Sequence, residues 1–244
     1  MIVASKRKIL TGTLLAWIVL LVTIKVGIWL ANAVPFLSGY SNTFTAILLL
    51  YAAFFLTRAD DFAKPFWATD RASLGKAIKY FLIVGSVLPL IVFLDLASGR
   101  VLANFHLVSR SFGDWLLNGA HQFLVVAIPE EFFFRGYMQG QLSLVWPPKK
   151  RIFGVPFGKA QIITSLLFAM SHSFITFQGW HIFIFFPALL FAWLKEKTGT
   201  VWAGALFHAA CNLFSWTLIL GGDSLAARVG DVVSKMIVRF IPIY

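Results

Sequence analysis

The sequence predicts an all-α, polytopic membrane bundle of about seven transmembrane helices, with six or eight as the neighbouring counts, followed by a C-terminal interfacial helix. Three observations carry that prediction. Of 244 residues, 59% are hydrophobic and only 13% charged, with a mean hydropathy of +0.81, whereas a soluble domain has about 45–50% apolar and about 25% charged residues. Apolar runs of the length needed to cross a bilayer, about 17–25 residues, recur along the chain. The basic residues lie in short clusters between those runs rather than on a polar domain. This composition excludes a soluble globular enzyme, a disordered chain and a disulfide scaffold. The net charge of +11 follows topology, so no nucleic-acid partner is expected. A single cysteine, Cys211, rules out an internal disulfide.

The first element spans 9–31. Lys6, Arg7 and Lys8 precede it and Ala31-Asn32-Ala33 resembles a cleavage site. However, Ile9 to Leu30 exceeds the about 7–15 residues of a signal-peptide core, and Lys25 interrupts it. It reads as an uncleaved first helix. Further spans fall at 42–57, 78–97, 114–142, 160–177, 181–194 and 201–220. The second and sixth are short, so they are tilted, re-entrant or extended into their flanks. The segment Phe62 to Leu74 suits an interfacial helix with Phe66 and Trp67 as anchors. Leu225 to Ile241 does too, with Val229, Val232, Val233, Met236 and Phe240 on one face and Arg228, Asp231, Lys235 and Arg239 on the other.

Placing the N-terminus in the cytoplasm collects fourteen basic residues inside (Lys6, Arg7, Lys8, Arg58, Lys64, Arg71, Lys76, Lys79, Lys149, Lys150, Arg151, Lys159, Lys195 and Lys197) against five outside. The positive-inside rule therefore favours N-in and C-out. No repeat or linker divides the chain, which reads as one membrane domain over 1–244, and its simple N-in, strongly basic form suits an integral protein of a prokaryotic plasma membrane.

Ionisable groups at membrane depth are expensive and mark function. Two of the three glutamates, Glu130 and Glu131, are neighbours inside the fourth apolar run. In Pro129-Glu130-Glu131-Phe132-Phe133-Phe134-Arg135, Glu131 and Arg135 are four apart, acid before base, as an ion pair on one helix face requires. Glu130 is rotated about 100° away and lacks that partner. Glu131 and Arg135 thus read as a buried structural pair, and Glu130 as a carboxylate free to act as a base. Pro129 removes a backbone hydrogen bond and lets the helix open toward a cavity. The competing reading is an architectural cluster that only joins helices.

Phe168-Ala169-Met170-Ser171-His172 places a histidine roughly 16 Å from the inner end of the fifth span. Taken alone, a lone histidine is more often a satisfied core residue. In His208-Ala209-Ala210-Cys211-Asn212, His208 and Asn212 share a helix face and can donate hydrogen bonds to a developing oxyanion. Interhelical hydrogen bonding is the alternative there. Gly204, Ala205, Ala209 and Ala210 permit close packing. Cys211 lacks an identifiable activator as a nucleophile. Lys25 can snorkel, Asp95 and Asp114 sit at outer span ends where solvation is cheap, and His106, His121 and His181 read as structural.

Together, Glu-Glu-x-x-x-Arg, Phe-x-x-x-His and His-x-x-x-Asn on apolar helices resemble the CAAX protease and bacteriocin-processing family, also called the Abi family. The likeness covers the core from about 114 to 220. It implies an intramembrane glutamate endopeptidase in which Glu130 activates water with His172, His208 and Asn212 stabilise the oxyanion, and Glu131, Arg135 and Phe168 support the site. It also implies a membrane-anchored protein or peptide substrate and no cofactor. Zinc is the rival, since Glu130, His172 and His208 could supply three ligands with an open fourth position, although no His-Glu-x-x-His occurs. A proton-coupled transporter and a non-catalytic immunity protein are the other classes. The first predicts ion flux without peptide, and the second predicts activity that survives Glu130→Gln.

Overall fold

The computed structural model describes residues 5–34, 36, 40–56, 66–100, 102–176 and 179–220. The expected C-terminal interfacial helix, and the inner-loop residues Arg58 and Lys64, lie outside them. Helices fall on each predicted apolar run: α1 Lys6–Ala33, α2 Ser41–Leu56, α3 Arg71–Gly85, α4 Val87–Ala97, α5 Phe112–His121, α6 Ile128–Glu131, α7 Gln139–Val145, α8 Lys159–Thr176, α9 Phe185–Thr198 and α10 Trp202–Thr217. Two stretches, Lys6–Ala33 and Arg71–Ala97, are long and apolar enough to cross a bilayer, each with a hydropathy of 2.3. Large apolar side chains such as Leu15, Trp29, Leu82, Phe93, Leu117 and Phe186 stand exposed on the outside of the bundle. Such a belt fits lipid rather than water.

Local chemistry explains the interruptions. Pro89 cannot donate to the Gly85 carbonyl and its ring crowds it, so the helix breaks between α3 and α4 at Ser86. A continuous helix over 112–145 contains two π segments, Gln122–Ala127 and Phe132–Met138, on either side of α6. Ile128 and Gln139 donate back to Phe123 and Phe134, five residues away. Pro129 supplies no N–H, so the ladder slips register around it and turns the glutamates relative to a regular α-helix. Such π segments are frequent at functional sites. The short sixth run is extended by a 3₁₀ segment, Gly179–Ile184, before α9.

Several expectations are corrected. The chain is not purely α: β1 Phe105–Leu107 pairs antiparallel with β4 Leu218–Leu220, and β2 Lys150–Ile152 with β3 Val155–Phe157. The seventh run therefore ends its helix at Thr217. Phe66 is no interfacial anchor. Residues 66 and 67 form a turn, α3 begins only at Arg71 after the Asp70 N-cap, and Phe66 is buried against Gly136, where a Cβ would overlap its ring. Asp95 is buried rather than solvated, because its carboxylate accepts the N–H groups of Ala103 (2.7 Å), Asn104 (2.9 Å) and Phe105 (3.0 Å).

The core is an aromatic cluster built around Phe132, Phe133, Phe134, Phe168, Phe191 and Phe207. Gly199, at φ +80°, caps α9 in the left-handed region that glycine tolerates. The chain reverses there, and α10 packs back along α9. Phe66 O and Ala68 O tie the start of α10 through Val201 N (2.9 Å) and Trp202 Nε1 (3.0 Å).

Candidate active site

The three motifs arrive from α6 and its π flank, α8 and α10. His172 Nε2 lies 3.6 Å and His208 Nε2 3.7 Å from one atom, Oε2 of Glu130. That oxygen is buried and accepts no hydrogen bond from the protein. The side chains of Glu130 and His172 as a whole retain 16% and 27% of their exposure, whereas His208 keeps 5%.

The remaining ring nitrogens orient these histidines. His172 Nδ1 is 2.9 Å from the Phe168 carbonyl one turn back. A carbonyl only accepts, so Nδ1 carries the proton, and Nε2 of the neutral ring presents a lone pair toward Glu130. His208 bridges the two acids, with Nδ1 3.4 Å from Glu131 Oε1 and Nε2 facing Glu130. Its ring stacks on Phe191, with centroids 4.9 Å apart and planes at 15°, and stands edge-on to Phe168 at 5.6 Å. Phe168 therefore fixes both histidines.

Glu131 and Arg135 lie 3.4 Å apart and both are fully buried. The guanidinium sits over Phe168 at 4.9 Å and Phe191 at 5.7 Å, a cation–π arrangement that offsets part of its desolvation. Glu131 thus contacts Arg135 on its own helix and His208 on α10. It reaches α10 because Gly204 has no side chain: a Cβ there would lie 3.0 Å from Glu131 Oε2.

Asn212 is not brought to the Glu130 oxygen by any hydrogen bond. Its amide donates to Gln122 Oε1 (3.0 Å), and Gln122 donates to Asn118 Oδ1 (3.3 Å). One of its two N–H donors is therefore engaged with the π segment before Pro129. Sequence reasoning missed Gln122, whose signal was a polar side chain two turns before the glutamates. It also missed a second polar knot, in which Glu196 accepts from Gln139 (2.8 Å), Gln161 (3.3 Å) and Lys195 (3.1 Å). Gln139 lies four residues beyond Arg135 and was visible on that stripe. His181 stands closer to the site than expected, its ring 6.4 Å from that of His172 and its Nδ1 2.7 Å from Thr176 Oγ1. Among the described residues no group of three His, Cys, Asp or Glu side chains forms a set able to hold a metal ion.

A cavity of about 160 Å³ opens onto Glu130 and His172, and its far wall is supplied by Trp17, Leu21 and Ile24 of α1 and Leu49 of α2. Trp17 Nε1 donates to Ser171 Oγ (2.9 Å), and Lys25 Nζ to the Ile175 carbonyl at the end of α8 (2.6 Å). The first two helices therefore complete a site whose Glu130 and histidines come from α6, α8 and α10. Lys25 does not simply snorkel.

No curated protein and no solved structure matches the chain. Residues 112–214 match the family model described as Rce1-like, type II CAAX prenyl endopeptidase Rce1-like. The matched segment contains Glu130, Glu131, Arg135, His172, His208 and Asn212, and the family is one of proteases. Over residues 112–214 the chain is thus similar to a family of CAAX prenyl endopeptidases.

Proposed function

We propose that the chain is an intramembrane endopeptidase that hydrolyses a peptide bond in a membrane-anchored protein or peptide by glutamate- and histidine-activated water. The observation that carries this reading is the convergence of His172 Nε2 and His208 Nε2 on Glu130 Oε2, at 3.6 and 3.7 Å. A carboxylate oxygen and the His172 lone pair both need donors. The separations are too long for direct hydrogen bonds and suit a bridging water, which has two protons to give. In that position Glu130 takes one proton as the water oxygen attacks the carbonyl carbon. The C–O bond forms as the carbonyl π pair moves to oxygen. His208, carrying a proton on Nε2 as well as the Nδ1 proton that faces Glu131, donates to the oxyanion. Collapse expels the amine, which takes the proton held by Glu130, leaving a carboxylic acid and an amine with no acyl-enzyme.

Glu131 and Arg135 serve as supports in this scheme, Phe168 as the bearing for both rings, and the free N–H of Asn212 as a second oxyanion donor. The chain crosses a prokaryotic plasma membrane seven times with its N-terminus in the cytoplasm, a reading supported by the helices on each apolar run and by the charge asymmetry.

The test compares membrane proteomes of cells carrying wild type and Glu130→Gln, reading which membrane proteins gain a new terminus. Cleavage by purified protein is then followed with and without chelator. Loss of the new termini in Glu130→Gln, with chelator-insensitive cleavage, is the expected result. Undiminished cleavage in both Glu130→Gln and Glu130→Ala refutes the base, and chelator sensitivity transfers the same three side chains to zinc.

A further inference from the structure

A second concave feature lies at the end of the bundle where α1 begins and α7 runs into α8. It is a cavity of about 480 Å³ bordered by Lys6, Lys149, Lys150 and Lys159, with Trp146 and Phe157 among its apolar walls. Among the described residues no acidic one lines it. Among the described residues none of the four lysines pairs with a carboxylate, since Glu196, the acid on neighbouring α9, is held by Lys195, Gln139 and Gln161. Four exposed ammonium groups around one hollow repel one another unless an anion enters it.

The backbone beneath them is stiff. Trp146 closes α7 through Trp146 N to Leu142 O (2.8 Å). Pro147 and Pro148 have fixed φ, and Gly158 packs so closely on Pro148 that a Cβ would come 3.3 Å from its Cα. Gly158 N donates to Gln161 Oε1 (2.9 Å), anchoring the start of α8. The lysines come from two distant parts of the chain, and both were assigned to the inner side by the charge asymmetry. The apolar part of α1 begins three residues after Lys6. The hollow therefore sits at the boundary between hydrocarbon and water.

From this placement we infer that the cavity is a binding site for an anionic glycerophospholipid of the inner leaflet. The lysines take its phosphate, and Trp146 and Phe157 take the glycerol and first acyl carbons. A free phosphate would satisfy the lysines but leave the aromatic wall unused, and a zwitterionic lipid would bring its own cation against them. Basic pockets beside membrane helices recognise anionic headgroups in this way. The site stands apart from Glu130 and does not depend on its catalytic role.

The full-length protein in mild detergent is titrated with phosphatidylglycerol, phosphatidylcholine or inorganic phosphate, and bound adducts are counted by native mass spectrometry. Phosphatidylglycerol is expected to bind at least about ten-fold more tightly than phosphatidylcholine. Each of Lys149→Gln, Lys150→Gln and Lys159→Gln should weaken it about 5-fold. Trp146→Ala should weaken it too, and millimolar inorganic phosphate should not displace it. Lys76→Gln/Lys79→Gln, which removes two inner-side charges elsewhere, should leave binding unchanged and controls for general charge. Unaltered elution and helical circular dichroism confirm that the variants fold. Equal affinity for the two lipids, full binding by the triple lysine variant, equal loss in the Lys76/Lys79 control, or displacement by phosphate would each overturn the inference.

Discussion

Gly204→Ala tests whether α10 must approach Glu131 without a side chain. In an exposed helix the change stabilises by about 1 kcal/mol, because alanine is the better helix former. At Gly204 the new methyl would lie 3.0 Å from Glu131 Oε2 and 3.5 Å from the Phe191 carbonyl. Relief requires Glu131 or the helix to give by a few tenths of an ångström, since ordinary contact begins near 3.4 Å. The carboxylate is engaged on both sides, by Arg135 Nε and by His208 Nδ1, each at 3.4 Å. Retreat from α10 therefore loosens His208. Overpacking costs about 1–3 kcal/mol, so the net effect on stability is a loss of about 0–2 kcal/mol. Misplacing a catalytic group by 1 Å can cost about 100-fold, and a shift of a few tenths is expected to lower kcat about 10-fold. The assay pairs thermal unfolding in detergent with cleavage of a substrate identified from the proteome comparison. Gly75→Ala in α3, where nothing lies within 4 Å, is the reference and should gain about 1 kcal/mol with unchanged kcat. A Gly204→Ala protein as stabilised as Gly75→Ala and fully active would refute the close approach and the bridging role of Glu131.

Glu130→Gln is expected to lower kcat by about 100- to 10,000-fold, the usual contribution of a general base, with little change in unfolding temperature, because Oε2 accepts no hydrogen bond from the protein. Asp95→Ala strands three backbone N–H groups and should cost about 3 kcal/mol, read as a lower unfolding temperature with cleavage intact at permissive temperature. Arg135→Met leaves Glu131 as a buried charge without its cation and should destabilise by about 3–5 kcal/mol. Arg135→Met/Glu131→Leu should recover most of that in unfolding but not in cleavage, because His208 still loses Glu131. At Asp70, hydrogen bonds from the Ser73 hydroxyl and backbone N–H hold the carboxyl below its usual range. Its cap is therefore complete above about pH 4, the unfolded value, and is lost as pH falls through the lower folded value. The stability difference between wild type and Asp70→Asn, whose cap does not titrate, should shrink as pH falls from 5 to 3.

Hydrophobicity and helical period were enough to specify the apolar runs, the helices that occupy them, and the sharing of one face by Glu131 and Arg135. These depend only on residues a few positions apart and on the cost of moving polar groups into hydrocarbon. The same period separated Glu130 from Arg135 and set His208 and Asn212 on one side of α10. Distances across helices depend on packing, which one strand of sequence does not contain. Only the tertiary structure turns Asn212 to Gln122, buries Asp95 under three amides, fits Phe66 against Gly136 and lets Glu131 reach His208 over Gly204. It also sets α1 and α2, which carry no motif, as the wall of the cavity beside Glu130. The chemistry of each group was legible from its residue type. Which groups meet was decided by where small residues allow helices to touch and by the register slip around Pro129.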